Sequence, residues 1–197
     1  MKNNSLREKL DNNKIILVPG IYDSFGALMA EKAGFEALYV SGASISYTKL
    51  GSPDLGFVSM SEVAAIVGNI SERTSLPLIV DADTGFGNAI NVIRTVRAFE
   101  AAGASAIQLE DQTLPKRCGH LKGKSLVSTE EMIGKIKAAT DARRSEEFLI
   151  IARTDSIAVE GFEEALERAS KYKEAGADIL CPLYTSPSPR DGLLSRM

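Results

Sequence analysis

The chain has 197 residues, of which 44% are hydrophobic and 25% are charged, a composition typical of a globular protein with one sizeable core. A net charge of −3 without a basic run predicts no nucleic-acid partner, and no apolar run approaches the ~20 residues that a membrane helix needs. The polar N-terminus lacks a signal-peptide core, and Cys118 and Cys181 lie far apart, so we expect a cytoplasmic protein without a disulfide framework.

A phrase that recurs along the chain predicts alternating helices and strands. Ala33–Gly34, Ala102–Gly103 and Ala175–Gly176 each end an amphipathic stretch, and an apolar run follows each pair. Glycine just after a helix adopts the left-handed conformation at little cost, so we expect each pair to end a helix. The predicted helices cover residues 23–33, 60–72, 88–102, 128–143 and 161–175.

Six apolar runs predict strands between these helices. Ile15–Val18 opens the series, and Leu78–Val80 and Phe148–Ala152 follow the same rhythm. The runs are continuous rather than alternating, which is typical of a parallel sheet that is buried on both faces. Ser59–Glu62 and Ser128–Glu131 match the capping box, a signal that a helix begins.

Polar residues at the strand ends favour a barrel over an open, doubly wound sheet. Ser41, Asp81, Asp83, Glu110 and Arg153 each lie at or just past the C-terminal end of a predicted strand. In a (β/α)8 TIM barrel these ends converge on one mouth, whereas an open sheet spreads them along a line. We therefore predict an α/β protein with an incomplete TIM barrel of about six β/α units over residues 1–180.

The last residues of the chain, 181–197, differ in character from the rest. They contain three prolines close together and no helical period, and LYTSPSPRD resembles the translated read-through of a sequencing-library adapter. We expect the natural sequence to end near residues 180–182, which leaves out the last two β/α units. The alternative is a proline-rich disordered terminus.

Asp81 and Asp83 form the strongest candidate for a metal site. They lie two residues apart at a strand end, so both side chains can turn to the same side. Carboxylates without histidine or cysteine partners favour a hard cation such as Mg2+. A lone aspartate at a strand end is more often a helix cap or a turn residue. Glu110, at the next strand end, strengthens the metal interpretation because it supplies a third carboxylate.

The segment Pro115–Lys124 contains Cys118 and the chain's one histidine, His120. Several cations flank the thiol, and neighbouring cations favour the thiolate form. Prolines and glycines predict a loop, and a long loop with reactive groups suits a lid over a site. The alternatives are a solvated basic loop or metal binding by Cys118 and His120, which would lack a third zinc ligand.

Two further groups suit the binding of an anion. The planar guanidinium of Arg153 matches a carboxylate in bidentate fashion, although it could instead neutralise Glu110 or an aspartate. Ser41, Gly42 and Ala43 follow the second apolar run and offer a hydroxyl and backbone N–H groups.

Over residues 5–180 the sequence resembles the isocitrate lyase and phosphoenolpyruvate mutase superfamily. The segments SGAS, SPDLG, DADTGFG, LEDQ, PKRCGHLKGK and IARTD occur in the order and spacing expected of it. KRCGH is the most specific of these and indicates the carbon–carbon lyase branch, which includes 2-methylisocitrate lyase and dimethylmalate lyase. The resemblance implies that Asp81 and Asp83 bind Mg2+, or Mn2+ in its place, with Asp54 and Glu110 supporting the metal's water shell.

The resemblance also implies roles for the remaining candidates and a partner. Ser41, Gly42 and Ala43 would hold one end of a small carboxylic acid substrate, and Arg153 would grip it. The residues implied to approach the substrate with the lid are Cys118, Gly119 and His120. The expected assembly is a homo-oligomer, a tetramer. Further substrate-binding residues of the family, including a glutamate and an asparagine, lie beyond the sixth strand, so we expect this chain to lack part of its site.

The implied reaction is cleavage of a small 2-hydroxy di- or tricarboxylate to a pyruvate- or glyoxylate-type product and a succinate-type product. Cys118, Arg153 and Asp54 are the implied catalytic residues. The alternatives within the superfamily are oxaloacetate hydrolysis or decarboxylation and a carboxyvinyl-carboxyphosphonate phosphorylmutase-like reaction. An alternative of another class is an inactive, truncated fragment that binds a dicarboxylate.

Overall fold

A computed structural model describes residues 5–11, 15–119 and 121–183. It contains one sheet of six parallel strands in the order β1 to β6, so each strand lies beside its neighbours in sequence. The strands are β1 (Gly20–Ile21), β2 (Leu38–Val40), β3 (Leu78–Asp81), β4 (Ala106–Glu110), β5 (Leu149–Thr154) and β6 (Ile179–Pro182). Within the described residues β1 and β6 each have one strand neighbour, which confirms the predicted incomplete barrel.

Helices alternate with the strands. They are α1 (Leu6–Asp11), α2 (Ser24–Lys32), α3 (Gly42–Ile45), α4 (Met60–Ser71), α5 (Ala89–Ala101), α6 (Thr129–Ala142) and α7 (Phe162–Glu174), with a π-helical turn at Ser46–Leu50 and a 3-10 turn at Ser156–Ala158. The five helices predicted from the sequence all form, with ends within one residue of the prediction. The short elements α1 and α3 were not predicted. None of the helices in the described part of the chain is long and apolar enough to cross a membrane.

The hydrophobic core lies mainly between the sheet and helices α4 to α7, and β4 and β5 are buried at every position. A smaller cluster gathers at the end of the sheet where the strands begin. There Leu6 of α1 packs with Ala106 and Leu149, the first residues of β4 and β5. Arg7 ties α1 to this end by donating to Asp178 Oδ1 at 2.9 Å. Since α1 covers this end, the polar strand ends lie at the opposite one.

The predicted first strand is wrong in its position. Pairing with β2 begins where Tyr39 N donates to Pro19 O at 2.9 Å, and residues 15–18 lead into β1 without belonging to it. Their side chains still alternate between solvent and the protein interior: Ile15 is 95% exposed, while Ile16 packs against the smaller cluster. The physical reason is that β2 begins only at Leu38, so residues 15–18 have no β2 residue opposite them with which to pair.

One of the two predicted capping boxes forms in full. Glu62 N donates to Ser59 Oγ at 3.4 Å, and Ser59 N donates to Glu62 Oε2 at 2.9 Å. At α6, Glu131 N donates to Ser128 Oγ at 3.1 Å, but the Glu131 carboxylate lies 3.5 Å from Lys135 Nζ. The second box is therefore half-formed, because an ion pair one turn along the helix takes its glutamate.

The recurring glycines adopt the predicted left-handed conformation. Gly34, Gly103 and Gly176 have φ angles of +87°, +98° and +108°, and each lies two residues past the last residue of a helix. Their surroundings differ. A Cβ on Gly103 would lie 2.8 Å from Ser71 Cβ and Oγ, whereas a Cβ on Gly34 would meet nothing within 4 Å.

This difference gives a test of the fold. Gly34→Ala should lower the free energy of unfolding by about 1–2 kcal/mol, the cost of a left-handed non-glycine residue. Gly103→Ala should lower it by roughly 2–5 kcal/mol, since overpacking against Ser71 adds to that cost. Urea unfolding of both variants measures the difference. If both variants lose the same free energy of unfolding, the junction between α5 and β4 can shift away from Ser71 at little cost.

Candidate active site

The C-terminal ends of β3, β4 and β5 bring together charged residues that were predicted to lie at strand ends. Asp81 ends β3 and Glu110 ends β4, while Arg153 lies in β5 directly opposite Glu110 in the strand register. Asp83 follows β3 by two residues. The four side chains belong to residues that are at most 9% exposed, so they form a buried polar mouth.

The loop after β3 turns its two aspartates in a specific way. Asp83 has a φ of +47°, a left-handed conformation that aspartate tolerates better than most residues. The Asp81 carboxylate accepts from Asp83 N at 3.1 Å and from Gly42 N at 3.3 Å. From outside the sheet, the buried Lys135 donates to Thr84 O at 3.2 Å and supports the loop. Asp81 is thus held by two backbone N–H groups.

Lys116 from the loop after β4 reaches into the mouth. Its ammonium lies 2.6 Å from Asp54 Oδ1 and also forms an ion pair with Asp83 Oδ1. Burial and the nearby Asp81 charge raise the pKa of Asp83 to about 7, although Lys116 opposes this shift. Burial lowers the pKa of Lys116, but Asp83, Glu110 and Asp81 outweigh it and raise that pKa overall. The sequence had placed this lysine beside the Cys118 thiol, and the structure pairs it with carboxylates instead.

Arg153 neutralises the other side of the mouth. Its Nη2 lies 3.2 Å from Glu110 Oε2 and 3.1 Å from both carboxylate oxygens of Asp155. Despite burial, Glu110 and Asp155 raise the pKa of Arg153. Burial raises the pKa of Glu110 well above its usual value, against the pull of Arg153. The alternative that Arg153 neutralises Glu110 therefore describes the arrangement in this structure.

The carboxylates fit a hard divalent cation. Glu110 Oε1 is a buried oxygen without a hydrogen-bond donor among the described residues, and Asp83 Oδ1 is a buried oxygen in contact with the Lys116 ammonium. In the described part of the chain, no three acidic, histidine or cysteine side chains form a ready cluster of metal ligands, and Lys116 and Arg153 contact the acidic groups. The donor chemistry is nevertheless oxygen only, which is the set that Mg2+ prefers. The residues present are therefore suited to hold such an ion.

The loop that carries Cys118 folds over this mouth. Its base is closed by an antiparallel bridge between Gln112 and Leu126. Cys118 is a free, half-buried thiol. Gly119 lies so close to Arg153 that a Cβ there would overlap the guanidinium and the side chain of Leu183. The loop thus brings Cys118 and Gly119 to the end of β5.

The remaining candidates have less direct placements. Ser41 directly precedes α3, and its Oγ accepts from Ser44 N at 3.2 Å, so the hydroxyl serves as the N-terminal cap of the helix. Gly42 N points at Asp81, and a Cβ on Gly42 would lie 3.2 Å from Asp81 Oδ2. Ala43 lies within α3. His120 lies outside the described residues, as do residues 184–197 of the predicted tail.

Sequence reasoning missed a second layer of polar residues behind the mouth. Asp111, Gln112 and Asp155 are each at most 1% exposed, and Lys124 joins them through an ion pair with Asp155 at 2.9 Å. The signal was present in the sequence. Asp111 directly follows Glu110, and Asp155 follows Arg153 by two residues, so a second polar residue accompanies each candidate at its strand end.

Comparison with known proteins relates this arrangement to enzymes. The 2-methylisocitrate lyase of Aeropyrum pernix is 56% identical over 177 residues, which are 90% of this chain and 56% of that protein. The 2,3-dimethylmalate lyase of Eubacterium barkeri is 51% identical over 175 residues, which are 89% of this chain and 61% of that protein. A structure of phosphonopyruvate hydrolase in complex with oxalate and Mg2+ superposes with a TM-score of 0.87 at 40% identity, covering 98% of this chain and 67% of that one.

The length of the match and a family model complete the comparison. The chain spans 56% and 61% of the lengths of these two curated relatives. The family model described as phosphoenolpyruvate phosphomutase matches residues 6–190, nearly the whole chain. With its parallel α/β sheet and its polar strand ends, the chain belongs to the phosphoenolpyruvate phosphomutase family, within the superfamily that includes the isocitrate lyases.

Proposed function

We propose that the protein is a Mg2+-dependent carbon–carbon lyase that cleaves a small 2-hydroxy di- or tricarboxylate of the 2-methylisocitrate type. One observation carries the proposal: a buried carboxylate cluster, two compensating cations and a thiol-bearing loop meet at one end of the sheet. The identity of 56% to a 2-methylisocitrate lyase supports the choice of substrate.

Asp81, Asp83 and Glu110 would hold the metal ion, Mg2+ or Mn2+, with Asp54 beside them. When bound, the ion supplies Lewis-acid polarisation of the 2-hydroxy carboxylate end of the substrate. Lys116, which pairs with Asp54 and Asp83, keeps the charge of the carboxylates compensated.

Arg153 would bind a carboxylate of the substrate. Its Nη2 is held by Glu110 and Asp155, which orients the guanidinium plane, while its buried Nε has no hydrogen-bond partner among the described residues. A buried donor without a partner is costly, and a substrate oxygen would satisfy it. The turn of Ser41, Gly42 and Ala43 would contact the other end of the substrate.

One proton transfer begins the cleavage and a second completes it. We assign Asp54 as the base that takes the proton of the 2-hydroxyl group. The O–H electrons form a carbonyl, the carbon–carbon bond breaks in the retro-aldol sense, and its electrons pass to the departing fragment. Cys118 then donates a proton to the carbanion of that fragment, which leaves as a succinate-type product. For 2-methylisocitrate the other product is pyruvate.

A panel of acids tests the reaction itself. The protein should convert 2-methylisocitrate with Mg2+ to pyruvate and succinate, which chromatography or NMR identifies. Isocitrate, 2,3-dimethylmalate, oxaloacetate and phosphonopyruvate complete the panel. Conversion of oxaloacetate to oxalate and acetate, without cleavage of any 2-hydroxy acid, would instead favour the hydrolase alternative.

Metal dependence tests the carboxylate assignment. Asp83→Asn should raise the Mg2+ concentration for half-maximal activity by roughly 10- to 100-fold or more, since weakening even a supporting group of a metal site has an effect of that size. Asp141→Asn, at an exposed position on α6, is the matched control and should leave the titration unchanged. An unaltered Mg2+ titration for Asp83→Asn would place the metal elsewhere.

The thiol assignment has two readouts. Cys118→Ala should lower kcat by about 10²- to 10⁴-fold, the contribution of a positioned proton donor. In the unmodified protein, iodoacetamide should label Cys118 faster than Cys181, because burial raises the pKa of Cys181. Substrate-like dicarboxylates with Mg2+ should slow labelling at Cys118 alone. If these ligands do not change the labelling rate of Cys118, the loop is a solvent-exposed surface loop without a role at the site.

A further inference from the structure

Asp155 is a fully buried carboxylate that takes no part in the proton transfers proposed above. It accepts from Lys124 Nζ at 2.9 Å, from Arg153 Nη2 at 3.1 Å and from Gln112 Nε2 at 3.2 Å. Two of these donors are cations, and charge-assisted hydrogen bonds of this kind are the stronger ones in proteins. Asp155 thus collects side chains from three different segments of the chain.

Two of its partners hold the backbone on either side of Cys118. Gln112 Oε1 accepts from Arg117 N at 2.9 Å, and Gln112 Nε2 donates to Arg117 O at 2.9 Å. Lys124 Nζ also donates to Gly119 O. Arg117 and Gly119 are the two neighbours of Cys118 in the chain. Both are therefore connected to the same carboxylate, each through one side chain.

Asp155 is itself fixed from behind. Its backbone N donates to Asp111 Oδ1 at 2.9 Å. The other oxygen of Asp111 accepts from Thr154 Oγ1 at 2.7 Å and from Tyr172 OH at 2.8 Å. Because Tyr172 belongs to α7 and is fully buried, the position of Asp155 is set by the packed core.

We propose that Asp155 is a positioning residue that holds the Cys118 loop over the mouth and orients Arg153 at the same time. One carboxylate then sets where the proton donor and the substrate-binding guanidinium lie relative to each other. Opening the loop breaks connections that end on this carboxylate, which also holds Arg153, so we expect the positions of the loop and of Arg153 to be coupled. The use of this coupling in catalysis rests on the lyase function proposed above, but the contacts themselves can be tested without any reaction.

Thiol labelling measures the position of the loop directly. Asp155→Asn keeps the shape of the side chain and removes its charge. It should raise the rate at which iodoacetamide labels Cys118 by at least about tenfold, because the ties on both sides of the thiol weaken. Peptide mapping by mass spectrometry separates Cys118 from Cys181. Lys124→Gln, which removes one tie, should also raise the rate.

The two changes should not add. If Lys124 acts through Asp155, the double variant Asp155→Asn/Lys124→Gln should label no faster than Asp155→Asn, since both disrupt one interaction. Asp178→Asn is the matched control. Asp178 also pairs with two arginines, Arg7 at 2.9 Å and Arg143 at 2.7 Å, but it lies at the opposite end of the sheet. In Asp178→Asn, iodoacetamide should label Cys118 at the same rate as in the unmodified protein.

Kinetics distinguish positioning from a purely structural role. In an active enzyme, Asp155→Asn should lower kcat and raise KM together, whereas Asp178→Asn should leave both unchanged. If folded Asp155→Asn labels at Cys118 no faster than the unmodified protein, the proposal is overturned. The same holds if Asp178→Asn raises the labelling rate as much as Asp155→Asn does. Should Asp155→Asn fail to fold, Lys124→Gln decides in the same way. An absence of lyase activity would overturn the proposed function alone, because labelling requires no substrate.

Discussion

Compensation of buried charge is the constraint on which the site depends. The carboxylates at the ends of β3 and β4 are almost fully buried, and a buried charge without a partner costs several kcal/mol. Lys116 supplies opposite charge to Asp83, Lys124 pairs with Asp155 just after β5, and both lysines come from the loop that follows β4. The sheet alone therefore does not hold these carboxylates in place. The loop must fold over them, and its position over the mouth follows from electrostatics as much as from chain geometry.

The fold was predictable from local signals. Many helix ends were predictable because they depend on a cap or on a left-handed glycine, as at Ser59 and Gly103, and such signals act within a few residues. The strand ends carried the site residues because parallel strands bring Asp81, Glu110 and Arg153 to one edge whatever the rest of the chain does. The first strand was misplaced because pairing depends on where a distant partner begins.

Ion-pair partners were not predictable in the same way. The sequence shows that Lys116 neighbours Cys118, but the path of the loop turns its ammonium toward Asp54, which lies 62 residues earlier. Asp155 and Lys124 likewise meet only after the loop has returned to the sheet. A long side chain selects its partner from whatever the fold brings within reach, and no periodicity records that choice.

The close contact between Gly119 and Arg153 bears on which sequences can occupy this loop. Even the methyl group of alanine would overlap the guanidinium, so position 119 has no conservative replacement. The exposed side chain of Arg117, two residues earlier, leaves room for exchange. Mutational tolerance along the loop should therefore be lowest at a residue with no side chain, where a scan that removes functional groups would find nothing to remove.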